Sequence, residues 1–335
     1  VSAAKPDATV RLGLIAASRI ARGAVIGPAP DVDGMEVVAV AARDADRAAK
    51  AAAEWDLAHS FGSYQDLLES DEVDAVYIGT PASLHRRWAV AALDAGKHVL
   101  CEKPLAANAD DGRLIAGAAA RSDRVAMEGY HWRYHPLADR VRSVIDSGEL
   151  GELRHIEARF DIADGRIGRD DIRWNLALGG GALMDLGCYS VQWVRFAAGG
   201  DPDVVSARAE CLVDGVDGRL EAELSWPGIT GWIHCSMIAE HTVNNLIVTG
   251  TEGTLTVDNP LAPQNGAGLA VETSTGRRDE PVPTSATYYH QLVAFRDAIR
   301  HGAPFPTTIE DGVRTMAIID ACYRAAGMEP RPTTD

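Results

Sequence analysis

Cysteine pairs are missing from this chain. Its five cysteines, Cys101, Cys188, Cys211, Cys235 and Cys322, are odd in number and never spaced Cys-x-x-Cys. That gives no zinc framework and suits a reducing compartment. Basic excess is missing too. Lys and Arg total 32 against 48 Asp and Glu, a formal net charge of −16. Nucleic acid is therefore not expected as a partner, because its phosphates demand a basic face. A phosphorylated small cofactor stays open, since it needs only a few local donors. No apolar run reaches membrane-spanning length, and the first residues, Val-Ser-Ala-Ala-Lys-Pro-Asp, lack the apolar core of a signal peptide. A soluble cytoplasmic protein with no membrane partner is the expectation. The absence of a Gly-x-Ser-x-Gly elbow or a catalytic-cysteine context argues against acyl hydrolysis. His131 and His135 have the spacing of a helical metal pair, but Pro136 interrupts and no third ligand is evident. No metal is expected.

What is present suffices for two cores: 335 residues, 46% hydrophobic and 24% charged. Apolar strands at Val10 to Ile15, Glu36 to Ala42, Ala58 to Phe61, Ala75 to Gly79, Val99 to Cys101 and Arg124 to Met127 alternate with helical stretches. Strand–helix alternation of this kind predicts an α/β fold, here a doubly wound parallel sheet over residues 1–128. The rhythm changes near Gly129. Strands at Leu153 to Ile162, Val204 to Val213, Arg219 to Trp226, Gly231 to Met237, Asn245 to Gly250 and Thr254 to Val257 follow with few helices between them. Leu220, Ala222, Leu224 and Trp226 alternate with Glu221, Glu223 and Ser225, the period of a sheet with one buried face. Residues 129–335 are expected to form an α+β domain with a mainly antiparallel sheet, closed by helices at Tyr288 to Arg300 and Ile309 to Ala326.

Chemistry-bearing residues gather at a few points. Lys103 follows the strand Val99 to Cys101 and precedes Pro104, so it is held extended at the strand's carboxyl end, where ligands bind in open α/β sheets. A solvated lysine leaving a strand would look the same. A dinucleotide turn usually reads Gly-x-Gly-x-x-Gly; the corresponding positions here are Ala16, Ser18 and Ala21, small enough to leave room, though an ordinary βα turn has this form too. The second strand ends Ala41-Ala42-Arg43 without an acid for a ribose hydroxyl, and Arg43 could pair with a 2′-phosphate. NADP is thereby favoured over NAD; Arg43 also reads as a solvated residue before the helix cap Asp44, and Arg47 is ambiguous. From Gly179 the chain runs Gly-Gly-Gly-Ala-Leu-Met-Asp-Leu-Gly-Cys-Tyr. Asp185 and Tyr189 lie four apart, on one helix face among apolar residues. A buried carboxylate needs a partner: Lys103, a substrate hydroxyl, or nearby backbone. Tyr130, Trp132, Arg133, Tyr134, Arg173 and Trp174 could wall a polar ring-shaped substrate, or the aromatics among them could serve packing.

Together these residues resemble the Gfo/Idh/MocA family of nicotinamide-dependent oxidoreductases. The matching pieces, in order, are Gly79-Thr80-Pro81 with His85, Gly96-Lys97-His98-Val99 leading into Glu102-Lys103-Pro104, Arg133-Tyr134-His135-Pro136, and Gly179 through Tyr189. The subgroup of trans-dihydrobenzenediol dehydrogenases, NADP-dependent xylose dehydrogenases and sugar 3-ketoreductases is most similar. The resemblance implies a Rossmann domain, a second domain whose open sheet mediates homo-oligomerisation as dimer or tetramer, and a Lys103-Pro104 bond that is often cis. It also implies hydride transfer between NADP(H) and a CH–OH or C=O group of a sugar, sugar derivative or cyclic polyol. Tyr189 is then the general acid/base, Asp185 orients the substrate, and Lys103 lowers the tyrosine pKa from its usual ~10. Ala16, Ser18, Arg19, Ile20, Arg43, Thr80, Pro81, His85, Glu102 and Lys103 would meet the cofactor, and Trp132, Arg133, Arg173, Trp174 and Asp185 the substrate. An aldose 1-dehydrogenase or trans-dihydrodiol dehydrogenase on the same scaffold is the alternative, and a non-catalytic NADP-binding sensor the alternative of another class. Two departures from the family pattern bear on the cofactor: the missing fingerprint glycines, and Ala42 where NADP-using relatives often have serine.

Overall fold

Strand β1, Val10–Ile15, is buried nearly throughout, as a strand covered on both faces must be. It is the centre of a parallel sheet with β2 (Met35–Ala41), β3 (His59–Phe61), β4 (Ala75–Ile78), β5 (His98–Cys101) and β6 (Ala126–Glu128), ordered β3-β2-β1-β4-β5-β6. The structure, a computed structural model, describes residues 9–333. Winding outward through β2 and β3, then returning for β4, the chain creates a switch point between β1 and β4, where carboxyl-end loops diverge. Side-chain caps start the intervening helices. Asp44 accepts from the Arg47 amide (2.8 Å) ahead of Ala45–Trp55, and Asn108 from the Asp111 amide (2.9 Å) ahead of Ala109–Arg121.

The division into two units differs from a single cut at 128/129. The first unit runs to Tyr134 and takes back Tyr288–Val313; the second is His135–Thr287 with the chain from Arg314 onward. The reason is apolar. Leu292, Phe295 and Ala298, on the helix Thr287–His301, share one buried cluster with Leu12, Leu14, Tyr77 and Leu100.

The second unit is built on eight strands: β7 (Leu153–Ala163), β8 (Asp203–Val213), β9 (Val216–Trp226), β10 (Ile229–Ala239), β11 (Val243–Gly250), β12 (Gly253–Asp258), β13 (Gly268–Thr273) and β14 (Gly276–Glu280). Their order is β14-β13-β12-β11-β7-β10-β9-β8, antiparallel except for the central pair β7/β10. Ile156, Ala158 and Phe160 of β7 are buried on the side of the helix Cys188–Ala198, which packs on that strand. The alternate residues carry polar pairs instead, His155 with Glu157, and Asp161 with Arg159 and His234. Strands β13 and β14 are additions to the sequence-based expectation. β14 reads Gly-Arg-Arg-Asp-Glu, almost wholly exposed, and exists by pairing with β13 rather than by burial. Among the described residues no helix is long and apolar enough to cross a membrane.

Candidate active site

The first unit places several expected residues at the switch point. Ala16, directly after β1, has φ +83°, in the left-handed region that glycine favours, and its amide donates to the Ala41 carbonyl (3.2 Å). Ser18 precedes the short helix Arg19–Ala21 without capping it through its side chain. Its hydroxyl is buried and meets no hydrogen-bonding partner, and the Thr80 hydroxyl after β4 is in the same state. Gly79 makes room for them, since a β-carbon there would lie 2.6 Å from Ser18 Oγ. Buried polar atoms are rarely left unsatisfied. Two such hydroxyls at the carboxyl ends of β1 and β4, beside a glycine that cannot carry a side chain, fit a phosphate- and ribose-bearing dinucleotide. Ile20 and Arg19 are exposed at the start of that short helix.

Arg43, two residues past β2, is exposed. Arg47 reaches back with Nη2 to the Ala17 carbonyl (3.2 Å). Burial raises the Tyr64 phenol pKa, and the charges of Arg43 and Arg47 both oppose that rise. The capping geometry of Asp44 is what turns Arg47 toward the first turn.

The Lys103–Pro104 bond is cis. Glu102 is buried. Its Oε1 accepts from the Tyr77 hydroxyl (2.9 Å) and its Oε2 from the Lys103 amide (3.2 Å), so its carboxylate ties the lysine's backbone to β4. His85, expected to meet the cofactor, has a different place. It is 1% exposed, with Nδ1 2.9 Å from the Pro104 carbonyl and Nε2 2.8 Å from the Thr80 carbonyl. Both nitrogens are engaged by backbone, so the ring clamps the Thr80 and Pro104 turns together from behind. His131 lies against Tyr288, ring centroids 4.0 Å apart, and burial with the nearby Lys103 ammonium pushes its pKa down to about 3. Tyr130 and Trp132 are buried, with the Arg133 guanidinium 5.4 Å from the Trp132 ring centroid.

In the second unit a turn and a helix carry the remaining residues. The Gly181 amide donates to the Arg173 carbonyl (2.9 Å) and the Gly180 amide to the Asn175 carbonyl (3.0 Å). The chain then enters a π-helical turn, Leu183–Gly187, that continues as the helix Cys188–Ala198. Asp185 leaves this turn and meets Arg173, whose Nε donates to its Oδ2 at 2.5 Å; Arg173 Nη1 donates to Asp171 at 3.0 Å. Arg173, expected to meet the substrate, is therefore a partner of Asp185 in this structure. Asp185 raises the Arg173 pKa by its charge, against the opposing effect of burial, with further help from Asp171. Tyr189 is 4% exposed and packs between Phe160 and Trp193, each 5.9 Å away by ring centroids. Trp174 is also buried, with the Arg169 guanidinium 4.3 Å from its ring centroid and Gly218 against its edge. Trp174 and Trp132 are packed rings here, the second of the two readings their sequence positions allow. Among the described residues no group of three or more His, Cys, Asp or Glu is placed to hold a metal ion.

Asp171 is absent from the candidates read from the sequence; it caps the short helical turn Ile172–Trp174, its side chain accepting from the Arg173 amide (3.1 Å). Arg47 stands among those candidates only as an ambiguous residue, and its place three after the capping Asp44 is the available signal.

Residues 10–130 match an oxidoreductase family described as having an NAD-binding Rossmann fold, and residues 138–256 match the GFO/IDH/MocA C-terminal domain. D-xylose 1-dehydrogenase (NADP(+)) 2 of Haloferax volcanii is 34% identical over 94% of this chain and 96% of its own. Trans-1,2-dihydrobenzene-1,2-diol dehydrogenase of Sus scrofa is 35% identical over 67% of each chain. Among solved structures, KijD10, a 3-ketoreductase from Actinomadura kijaniata in complex with NADP and TDP-benzene, superposes with a TM-score of 0.86 at 28% identity, over 95% of this chain and 98% of that one. With a parallel Rossmann sheet, a second unit of mainly antiparallel strands, and matches across both, the chain belongs to the Gfo/Idh/MocA family of oxidoreductases.

Proposed function

We propose that this chain interconverts a hydroxyl and a carbonyl on a neutral sugar, sugar derivative or cyclic polyol, using NADP(H). The observation that carries it is the Arg173-held Asp185 one helical turn before the buried Tyr189. A bound nicotinamide supplies or accepts the hydride. The residues of the chain do the rest. Tyr189 gives its phenolic proton to the carbonyl oxygen in reduction and takes it back in oxidation. Asp185, oriented by Arg173, accepts a hydrogen bond from a substrate hydroxyl and so fixes the reacting carbon. Lys103 is the further residue that the family resemblance assigns to the reaction, as an ammonium of the kind that favours a phenolate. Glu102 and His85 hold the Lys103–Pro104 turn in place.

Two observations support the choice of ligands. The charges of Arg43 and Arg47 both act on Tyr64 beyond β2, where a 2′-phosphate needs cations. Arg173 sits between two carboxylates, leaving that cluster one negative charge in excess, which suits hydroxyl donors better than an anionic group. An aldose 1-dehydrogenase and a dihydrodiol dehydrogenase are the versions of this reaction named by the two curated relatives. Self-association through the second sheet is part of the proposal; its edge strand β8 exposes Val205, Leu212 and Val213. Sedimentation measures it.

Tyr189→Phe and Lys103→Ala should each lower turnover on a sugar panel by about 100-fold or more, with the NADPH dissociation constant changed far less. The assay follows nicotinamide absorbance, with titration of NADPH and NADH alongside. Near-normal turnover in both variants would sink the assignment, and binding without turnover on any substrate would favour a sensor.

A further inference from the structure

Arg331 is the least expected buried charge in the second unit. It lies beyond the last helix, in chain without regular structure, yet is 1% exposed. Each nitrogen of its planar head makes a hydrogen bond. Nε donates to the Gly180 carbonyl (2.6 Å), Nη1 donates to the Gly215 carbonyl (3.0 Å), and Nη2 pairs with Asp217 Oδ1. Its guanidinium carbon stands 3.9 Å from the Tyr323 ring centroid. Asp217 is fully buried as well. Its Oδ1 also accepts from the Tyr323 hydroxyl (3.0 Å), and its Oδ2 accepts from the Leu183 amide (2.7 Å).

Every one of these bonds ends on the turn that launches the Asp185–Tyr189 segment, or on its support. The Gly180 carbonyl is held from one side by Arg331, while the Gly180 and Gly181 amides are held from the other by the 173–175 backbone. The Leu183 amide, an N-terminal donor of the π-helical turn with no intrahelical acceptor, is satisfied by Asp217. The Asp185 amide in turn donates to the Gly181 carbonyl (3.1 Å). No side chain fits between. A β-carbon at Gly181, where φ is +139°, would run into Asp217 Oδ1 and come within 2.9 Å of the Tyr323 hydroxyl. A buried ion pair is a weak source of stability, and in some proteins such pairs are kept because they hold one geometry.

We propose that Arg331, Asp217 and Tyr323 form a positioning network that sets where Asp185 stands against Arg173, so that Arg331 governs turnover without touching substrate or cofactor. The proposal rests on the function assigned above to Asp185 and Tyr189. Its geometry leads to a specific expectation. A lysine at 331 keeps a positive charge opposite Asp217 but cannot donate along the guanidinium's three fixed directions, so the Gly180 and Gly215 carbonyls are released while the charge balance survives.

The experiment compares wild type, Arg331→Lys, Asp185→Asn, the double variant of these two, and Tyr189→Phe. Turnover is measured with NADP(H) on the most active member of a sugar panel, NADPH affinity by titration, and amide hydrogen exchange over residues 179–187. Arg331→Lys should lower kcat by about tenfold or more, leave the NADPH dissociation constant within about twofold, and speed exchange of residues 179–187 more than of the neighbouring strands. Combined with Asp185→Asn it should cost little beyond Asp185→Asn alone, because both act through one carboxylate. A residue that merely stabilised the unit would multiply the two losses and leave exchange at the turn no faster than elsewhere. Unchanged turnover in Arg331→Lys beside an inactive Tyr189→Phe overturns this proposal alone. An active Tyr189→Phe overturns the assigned function and this proposal with it. Should Arg331→Lys fail to fold, Tyr323→Phe removes a single donor from Asp217 and carries the same comparison with Asp185→Asn.

Discussion

Asp185 receives its counter-charge from Arg173, twelve positions earlier, and Arg173 is shared with Asp171. Remove the guanidinium and each of two partly buried carboxylates loses a charge-assisted hydrogen bond. Arg173→Gln should therefore weaken transition-state stabilisation by about 2–3 kcal/mol, the usual worth of a hydrogen bond to a charged group; kcat/KM should fall by roughly 30- to 150-fold. Steady-state kinetics on the active sugar checks this, and an unaltered kcat/KM would mean that Asp185 needs no such hold. The second residue-scale prediction concerns Arg43 and Arg47, both of which act electrostatically on Tyr64. Converting both to alanine should weaken NADPH by about 10- to 100-fold through lost charge-assisted bonds, with NADH affinity nearly unchanged. Equal losses for the two nucleotides would remove the phosphate role. Tyr189 and Asp185 were legible in the sequence because helical spacing alone puts them on one face. The partner of Asp185 was not, because Arg173 reaches it through an irregular loop whose path no periodicity encodes.

Among the elements, the first strand-to-helix turn is the one built against local preference. Ala16 adopts φ +83°, a conformation that costs a β-carbon-bearing residue about 1–2 kcal/mol. Glycine relieves that strain and costs about 0.5–1 kcal/mol of extra chain entropy. Ala16→Gly should thus stabilise the first unit by about 0.5–1 kcal/mol, visible as a higher melting temperature with NADPH binding retained or tightened. A lower melting temperature would show that the alanine methyl does useful packing. The pattern of the sequence placed this turn correctly, since β1 and the helix start flank it, but backbone torsion is not written in composition. Strand β14 shows a different limit. Its residues carry strand character only because β13 offers a free edge, and an edge strand needs neither alternation nor burial to pair.

On the scale of the whole molecule, histidines with lowered pKa couple stability to pH, among them the half-buried His98 and the buried His131. Burial and the neighbouring Arg124 lower the pKa of His98 to about 4, and its Nδ1 accepts from the Val125 amide (2.9 Å), which requires that nitrogen unprotonated. Burial and Lys103 lower that of His131 to about 3. Unfolded histidine titrates near ~6.5. Between there and the folded values only the unfolded chain takes up the proton, so the stability present above pH ~6.5 is lost as pH falls. From pH 7 to pH 5 each should contribute a loss of about 1–2 kcal/mol. Urea midpoints at the two pH values test it, with His98→Gln expected to flatten the dependence; equal midpoints for the wild type would contradict the burial of neutral imidazoles.

The sequence by itself determined the fold class, the parallel order of the first sheet's strands along the chain, and the identity of Lys103, Asp185 and Tyr189 as residues worth testing. Short-range rules suffice for these: apolar runs, caps, a proline after a strand, a four-residue helical spacing. Only the tertiary structure decided what holds them. His85 became a clamp between two backbone turns, Arg173 became the partner of Asp185, and the helix Thr287–His301 returned to the first core. Gly181 leaves no room for a side chain beside Asp217, Tyr323 and Arg331, and the Gly180 carbonyl accepts from Arg331. Contacts across 34 to 151 positions are chosen by which surfaces exclude water together, and that choice leaves no local mark on the residues that make it.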